Sequence, residues 1–217
     1  MQLDFHNKPR VEAAHFLAQR HHEGVVRKYT GAAYLTHPVA VAELLLAHGI
    51  YDENSLSAAL LHDCLEDPNV EGYMMLASSI EGHCGVKVAR WVGLLTNTER
   101  GNRATRKALA NKRLAAAPAE VQTIKLADII DNLYGIADLA PDFAPTYLEE
   151  KRVQIACLTR GNPKLLGLAL DTYAVELNKL ALGVLTLTAE ARETDRRDDL
   201  AIAAILDRES FMDVAFF

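Results

Sequence analysis

Four polar side chains crowd the end of one apolar run: Leu56 to Leu61 gives way to His62-Asp63-Cys64-Leu65-Glu66-Asp67. On a helix, His62 and Glu66 lie one turn apart on one face, and Asp63 and Asp67 share a neighbouring face. One helix end then offers an imidazole and a carboxylate to a metal ion. Two further carboxylates follow one turn later, within reach of a water bound to that ion. Zinc, manganese and iron accept mixed nitrogen and oxygen donors of this kind. An isolated His-Asp pair is more often a solvated helix end, so the weight comes from the rest of the chain.

Three other stretches carry chemistry. In Tyr34-Leu35-Thr36-His37-Pro38, proline fits the first turn of a helix, where its missing N–H is no loss. His37 is therefore expected at the cap of a helix that runs to about His48 and ends at Gly49. In Lys125-Leu126-Ala127-Asp128-Ile129-Ile130-Asp131-Asn132-Leu133, Asp128 and Asn132 are one turn apart, beside an apolar stripe of Ile124, Ala127 and Ile130. A carboxylate bordering an apolar face needs a partner. Lys125 offers a salt bridge, and a metal is the sharper alternative. Finally, Arg27-Lys28 is a basic pair in an acidic protein, a few residues before His37. It is either a solvated surface pair or the extra positive charge that an anionic substrate needs.

The elements that must position these groups are helical. Apolar residues recur at helical spacing from Pro9 to about Glu23, and Gly24 closes that helix. Val25 to Thr36 is a loop. Asp52 or Asn54 caps a third helix, which carries His62 and Asp63 and stops at Pro68. Glu71 to Glu81 and Gly85 to Asn97 follow as short helices, with Trp91 read as packing. Thr98 to Arg106 is a polar loop whose Arg100, Arg103 and Arg106 read as solvated sooner than as a phosphate clamp. Pro118 starts a long helix through Leu133. Pro141 and Pro145 bracket a turn before helices at Tyr147 to Leu158 and Lys164 to Leu182. Period-2 runs and hairpin dipeptides are missing. The fold class is thus all-α: one domain over residues 1–183 and a C-terminal helical extension over 184–217.

The 217 residues can bury a full core. The formal net charge of −6 argues against nucleic acid and against an acidic membrane as partners. No apolar stretch approaches the roughly 20 residues that span a bilayer, and the first residues show no signal-peptide pattern. Three unpaired cysteines, Cys64, Cys84 and Cys157, fit a reducing cytoplasm. Cys64 reads as a small buried apolar residue.

The stretches His22-Glu23-Gly24-Val25-Val26-Arg27-Lys28, Tyr34 to Pro38, Ala58-Ala59-Leu60-Leu61-His62-Asp63 with Glu66-Asp67, and Lys125-Leu126-Ala127-Asp128 with Asn132 come in a telling order and spacing. Together they resemble the HD-domain hydrolases of the RelA/SpoT group, among them the stand-alone small alarmone hydrolases. The resemblance covers about residues 8–170 and extends to no synthetase domain. It implies an HD-domain helical bundle holding one divalent metal ion, usually manganese, through His37, His62, Asp63 and Asp128. It implies Glu66 and Asp67 as the acid/base pair around the attacking water, Arg27 and Lys28 on the nucleotide, and Asn132 on its ribose. The reaction it implies removes the 3′-diphosphate of ppGpp or pppGpp, alarmones of the stringent response, giving GDP or GTP and pyrophosphate. The chain departs from the pattern at Leu133-Tyr134-Gly135, where relatives carry a basic residue and then a larger polar one. It departs also at Ala156, where a tyrosine is expected near the nucleotide, and at Pro68. These positions bear on which nucleotide is accepted. Adenosine alarmones or NADPH are the alternative substrates, and an inactive nucleotide-binding regulator is the non-enzymatic alternative. The intact Glu66-Asp67 pair speaks against that last reading.

Overall fold

The computed structural model describes residues 8–66 and 68–183. These residues are helices and turns, with one isolated antiparallel bridge between Val26 and Ala33 and no strand. The helices are α1 Pro9–His21, α2 Thr36–Ala47, α3 Glu53–Leu61, α4 Ala77–Cys84, α5 Val86–Leu95, α6 Arg103–Ala116, α7 Ala119–Leu133, α8 Ile136–Leu139 and α9 Ala144–Cys157. A tenth, α10, begins at residue 163. The chain divides into two compact units, Met1–Leu177 and Asn178–Phe217, and helices α1 to α9 lie in the first. The expected extension over 184–217 is outside the described residues.

Two helices form the centre. Every residue of α3 from Ser55 to Leu61 is buried. A helix that is apolar all round must be enclosed, and α1, α2, α5 and α7 pack around it. Ala58 and Ala59 are small enough to let those neighbours approach. Asp52 starts α3 as expected, its carboxylate accepting from the Ser55 N–H at 2.9 Å. The second central helix, α7, buries Val121 to Ile124 and Leu126 to Ile130. Asp128 is carried into the interior by that apolar surface.

Helix ends set the geometry of the site, and they differ from the sequence expectation. The α3 helix stops at Leu61 and does not run on to Pro68. The His62 ring turns back, Nδ1 lying 2.8 Å from the Ala59 carbonyl. Tight turns follow: Cys64 N–H donates to Leu61 O and Glu66 N–H to Asp63 O, each at 3.0 Å. Polar side chains competing for backbone carbonyls favour this over another helical turn. His62 and Glu66 are therefore not stacked on one helical face. His37 is not the cap of α2 but its second residue, with Leu35 at the cap. At the other end, Gly49 takes φ +80° and Ile50 N–H reaches back to Leu45 O at 3.0 Å, a Schellman stop.

Other elements shift too. The segment expected as a helix over Glu71–Glu81 begins as turns organised by Asn69, whose side chain accepts from Glu71 and Tyr73 N–H, and α4 starts only at Ala77. The expected loop Thr98–Arg106 is shorter. Asn102 caps α6 through Thr105 N–H at 2.9 Å, and Arg103 pairs with Glu150 of α9. Trp91 is buried, as expected of packing. The helix expected from Tyr147 starts earlier, at Ala144, and the short α8 had no clear signal. Glu176 of α10 holds that short helix, accepting from Ala137 N–H at 3.0 Å.

Gln122 ties the centre to the edge. Its buried amide nitrogen faces the Leu114, Ala115 and Ala117 carbonyls at 3.0, 3.1 and 3.3 Å, and its oxygen accepts from Arg160 N–H at 2.9 Å. Gln122→Leu keeps the volume, leaves the Arg160 N–H without its acceptor and removes one of the donors to each of those carbonyls. A loss of about 2 kcal/mol is expected, read as a lower urea midpoint with an unchanged m-value.

Candidate functional site

Three elements converge on a buried group of donors. The first turn of α2 brings His37, the turn after α3 brings His62 and Asp63, and the inner face of α7 brings Asp128. Donor atoms of His37, His62 and Asp63 all lie within 4.8 Å of one another. The two imidazoles face each other, Nε2 to Nε2, at 3.1 Å. Asp63 Oδ2 lies 3.1 Å from His62 Nε2 and 3.5 Å from His37 Nε2. Asp128 Oδ1 completes the set at 3.2 Å from His37 Nε2 and 3.6 Å from His62 Nε2.

The far nitrogens decide what this arrangement means. His62 Nδ1 donates to Ala59 O at 2.8 Å, and His37 Nδ1 donates to Asp131 Oδ2 at 2.6 Å. Both rings therefore keep a proton on Nδ1, and both aim Nε2 at the same point, as a lone pair when the ring is neutral. Two lone pairs and two carboxylate oxygens repel one another unless a positive charge sits among them. Donors bound about 2.1 Å from one ion lie roughly 3.0–3.4 Å apart, close to the spacings found. The donor set fits a divalent metal ion.

The field of the site draws positive charge to this point, and without an ion a proton supplies it. Burial disfavours charge on His62, yet Asp63 and Asp128 outweigh it and raise the pKa well above the ordinary histidine value. His37 is raised as well: burial opposes this, and the hydrogen bonds to Asp128 and Asp131 prevail. Burial works to raise Asp128, but the Lys125 ammonium and the two histidines hold it well below the carboxylate range. Of the two partners its sequence raised for Asp128, the structure shows Lys125. Oδ2 takes Lys125 Nζ at 2.6 Å, and Oδ1 faces the histidines. Asn132, one turn on, donates to that same Oδ1 at 2.6 Å.

Two contributing residues carried no assigned role in the sequence. Tyr34 donates its hydroxyl to Asp63 Oδ2 at 2.7 Å, and its ring lies 4.7 Å from that of His22. Asp131 receives His37 Nδ1 and also Arg27 Nη1, at 2.8 Å. The available signal was Asp131's position three residues after Asp128, on an adjacent helical face.

Beside the donors opens a cavity of about 610 Å³. It shares Tyr34, His37, Asp131 and Asn132 with the donor network, and its other walls include Arg27, Lys28, Tyr29, Tyr134, Phe143 and Tyr147. Lys28 Nζ lies 5.0 Å from the Tyr29 ring centre. Burial pushes the Tyr147 phenol up in pKa, so it stays a neutral donor. Aromatic faces and two cations suit a nucleobase and phosphates. Glu66 is turned toward the α5 end. Its carboxylate accepts from Asn97 N–H at 3.1 Å and from the Asn97 side-chain amide at 2.9 and 3.0 Å. Asp67 lies outside the described residues. Cys64 is buried beside His22, and burial pushes its thiol up, so it is not a reactive thiolate.

Residues 13–155 match the HD-domain family. The guanosine-3′,5′-bis(diphosphate) 3′-pyrophosphohydrolases MESH1 of Mus musculus and Homo sapiens are each 34% identical over 145 residues, covering 66% of this chain and 76% of theirs. The bifunctional (p)ppGpp synthase/hydrolase SpoT of Escherichia coli is 32% identical over 136 residues, 61% of this chain and 19% of SpoT. The solved structure of a metazoan SpoT ortholog that hydrolyses ppGpp superposes with a TM-score of 0.69 at 24% identity, over 76% of this chain and 94% of that one. At that identity the likeness speaks for the fold.

Imidazole nitrogen NMR of the metal-loaded protein tests the tautomers. His37 and His62 should both carry their proton on Nδ1. An Nε2–H signal from either ring would remove that histidine from the donor set.

Proposed function

The chain belongs to the HD-domain family and, within it, to the group of the MESH1 pyrophosphohydrolases, and on that premise we propose that it hydrolyses the 3′-diphosphate of guanosine alarmones. The products are GDP or GTP and pyrophosphate. One observation carries the reading: a donor set of buried His37, His62 and Asp128 with half-buried Asp63 shares a wall with a basic, aromatic cavity of nucleotide size. We assign those four residues as ligands of one divalent ion, manganese by the resemblance. The ion supplies Lewis acidity at the phosphoryl group and makes water a better nucleophile at neutral pH.

The rest is work for the chain's own side chains. Water oxygen bonds to the phosphorus attached to O3′, the P–O3′ bond breaks, and O3′ leaves with a proton. One carboxylate must take the water proton and another group must deliver one to O3′; we assign this pair of tasks to Glu66 and Asp67. Asn97 fixes the orientation of Glu66 while leaving its oxygens lone pairs to spare. Arg27 and Lys28 line the cavity wall and would meet the base and phosphates. Asn132 sits between Asp128 and Arg27 and would position the ribose. Tyr34, Tyr147 and Phe143 line the cavity wall and would exclude water from that side of a bound nucleotide. We place the catalytic domain in residues 1–183, the extension in 184–217, and the protein in the cytoplasm with a small-molecule nucleotide as its partner. No helix among the described residues is long and apolar enough to cross a membrane.

With manganese, the protein should release pyrophosphate from ppGpp and pppGpp faster than it attacks ppApp or NADPH. Preference for an adenine substrate would move the assignment to the alternative, and Tyr134 and Gly135 on the cavity wall are where that difference would arise. No turnover of any of the four would remove the enzyme reading. Glu66→Ala is expected to keep its metal and lose about 10²–10⁴-fold in kcat, whereas Asp128→Ala should lose the metal itself. Arg27→Ala should raise KM for ppGpp about tenfold or more, since a charge-assisted hydrogen bond contributes ~1.5–3 kcal/mol. An unchanged KM would put Arg27 outside the nucleotide site.

A further inference from the structure

Asp131 is shared between the two halves of the site. Its Oδ2 accepts from His37 Nδ1 at 2.6 Å and from Arg27 Nη1 at 2.8 Å. Arg27 in turn reaches Asn132 Oδ1 at 3.5 Å through Nη2, and Asn132 Nδ2 donates to Asp128 Oδ1 at 2.6 Å. The chain of contacts leaves one donor residue, His37, runs along the cavity wall, and returns to another, Asp128. Asp131 is the only carboxylate in it that touches no Nε2 of the donor cluster.

We infer that Asp131 is a positioning residue that ties nucleotide binding to metal binding: it aims His37 Nε2 at the ion and holds Arg27 at the cavity wall with the same oxygen. The inference rests on the reading of the donor cluster as a metal site. A ligating histidine is oriented by whatever accepts its other N–H, and loss of that acceptor weakens metal binding about 10–100-fold. A helix residue is a stiff mount for the acceptor, because the neighbouring Ile129, Ile130 and Leu133 of α7 are buried. The arginine has a different need. An unanchored guanidinium samples many rotamers, and Asp131 holds it in one. The carboxylate also offsets part of the positive charge on Arg27 until an anionic substrate arrives. Without Asp131, both the ring and the guanidinium lose their aim at once. Without Arg27, the ring keeps its acceptor.

Calorimetric titration of the metal-free full chain with Mn²⁺, with no nucleotide present, separates these roles. Asp131→Ala should weaken Mn²⁺ binding about 10–100-fold. Asp131→Asn retains an oxygen at the same reach and should recover most of that loss. Asp131→Gln, which moves the oxygen by one methylene, should not. Arg27→Ala should bind Mn²⁺ as the wild type does. In ppGpp kinetics at saturating Mn²⁺, Asp131→Ala and Arg27→Ala should each raise KM. The double variant should raise it by less than the product of the two, because both remove one interaction. Thermal melts of the metal-free variants should match the wild type. If Asp131→Ala does not fold, the Asn and Gln pair decides the matter. Equal Mn²⁺ affinity in wild type and in Asp131→Ala or Asp131→Gln overturns this inference alone. A wild type that takes up no Mn²⁺, Zn²⁺ or Fe²⁺ overturns the metal reading with it.

Discussion

Two imidazole rings that each donate Nδ1–H to a fixed acceptor meet at Nε2, and most of this structure serves that meeting. His62 is committed by the Ala59 carbonyl and His37 by Asp131. The resulting Nε2 contact of 3.1 Å is repulsive between neutral rings and favourable around a cation. Keeping it requires two helix ends to be held against each other inside the protein. That is why α3 is buried on every side and why α2 and α7 both pack against it. His62 stands at the end of α3 in helical backbone geometry, and the Ala59 carbonyl one turn back sets its ring.

Around that contact each carboxylate oxygen has a separate task. Asp128 gives one oxygen to Lys125 and the other to the histidines and Asn132. Asp63 Oδ2 takes the Tyr34 hydroxyl as well as the ring nitrogens. Buried ion pairs of this kind are poor sources of stability, since desolvation offsets most of the attraction. Their value here is in fixing orientation. Lys125 holds Asp128 ionised in the interior, so a carboxylate is present without waiting for a metal to draw it out.

The nucleotide cavity and the donor cluster are one construction. Tyr34, His37, Asp131 and Asn132 belong to both. This also locates the chain's departures from its relatives. Tyr134 and Gly135 stand on the cavity wall, away from the donors. Neither residue is among the four clustered donors.

The all-α class, the buried stripe of α7, the Asp52 cap and the Gly49 stop were legible in the sequence. Each rests on local propensity or on a periodicity of about 3.6 residues. The four donors were legible as well, because metal-ligand types are few and the stretches that carry them have a family order. What the sequence left open is how each donor is aimed. Whether Lys125 or a metal satisfies Asp128 was an open question in one dimension; the fold gives Oδ2 to Lys125 and turns Oδ1 toward the two histidines. The break after Leu61 turned on a contest between the helix and its side chains for the same carbonyls, which propensity alone does not decide. Asp131 and Tyr34 acquired their roles from partners 94 and 29 residues away. Such partners meet only when the buried faces of α2, α3 and α7 close on one another. The sequence determined which chemical groups are present, and burial of those faces decided which of them touch.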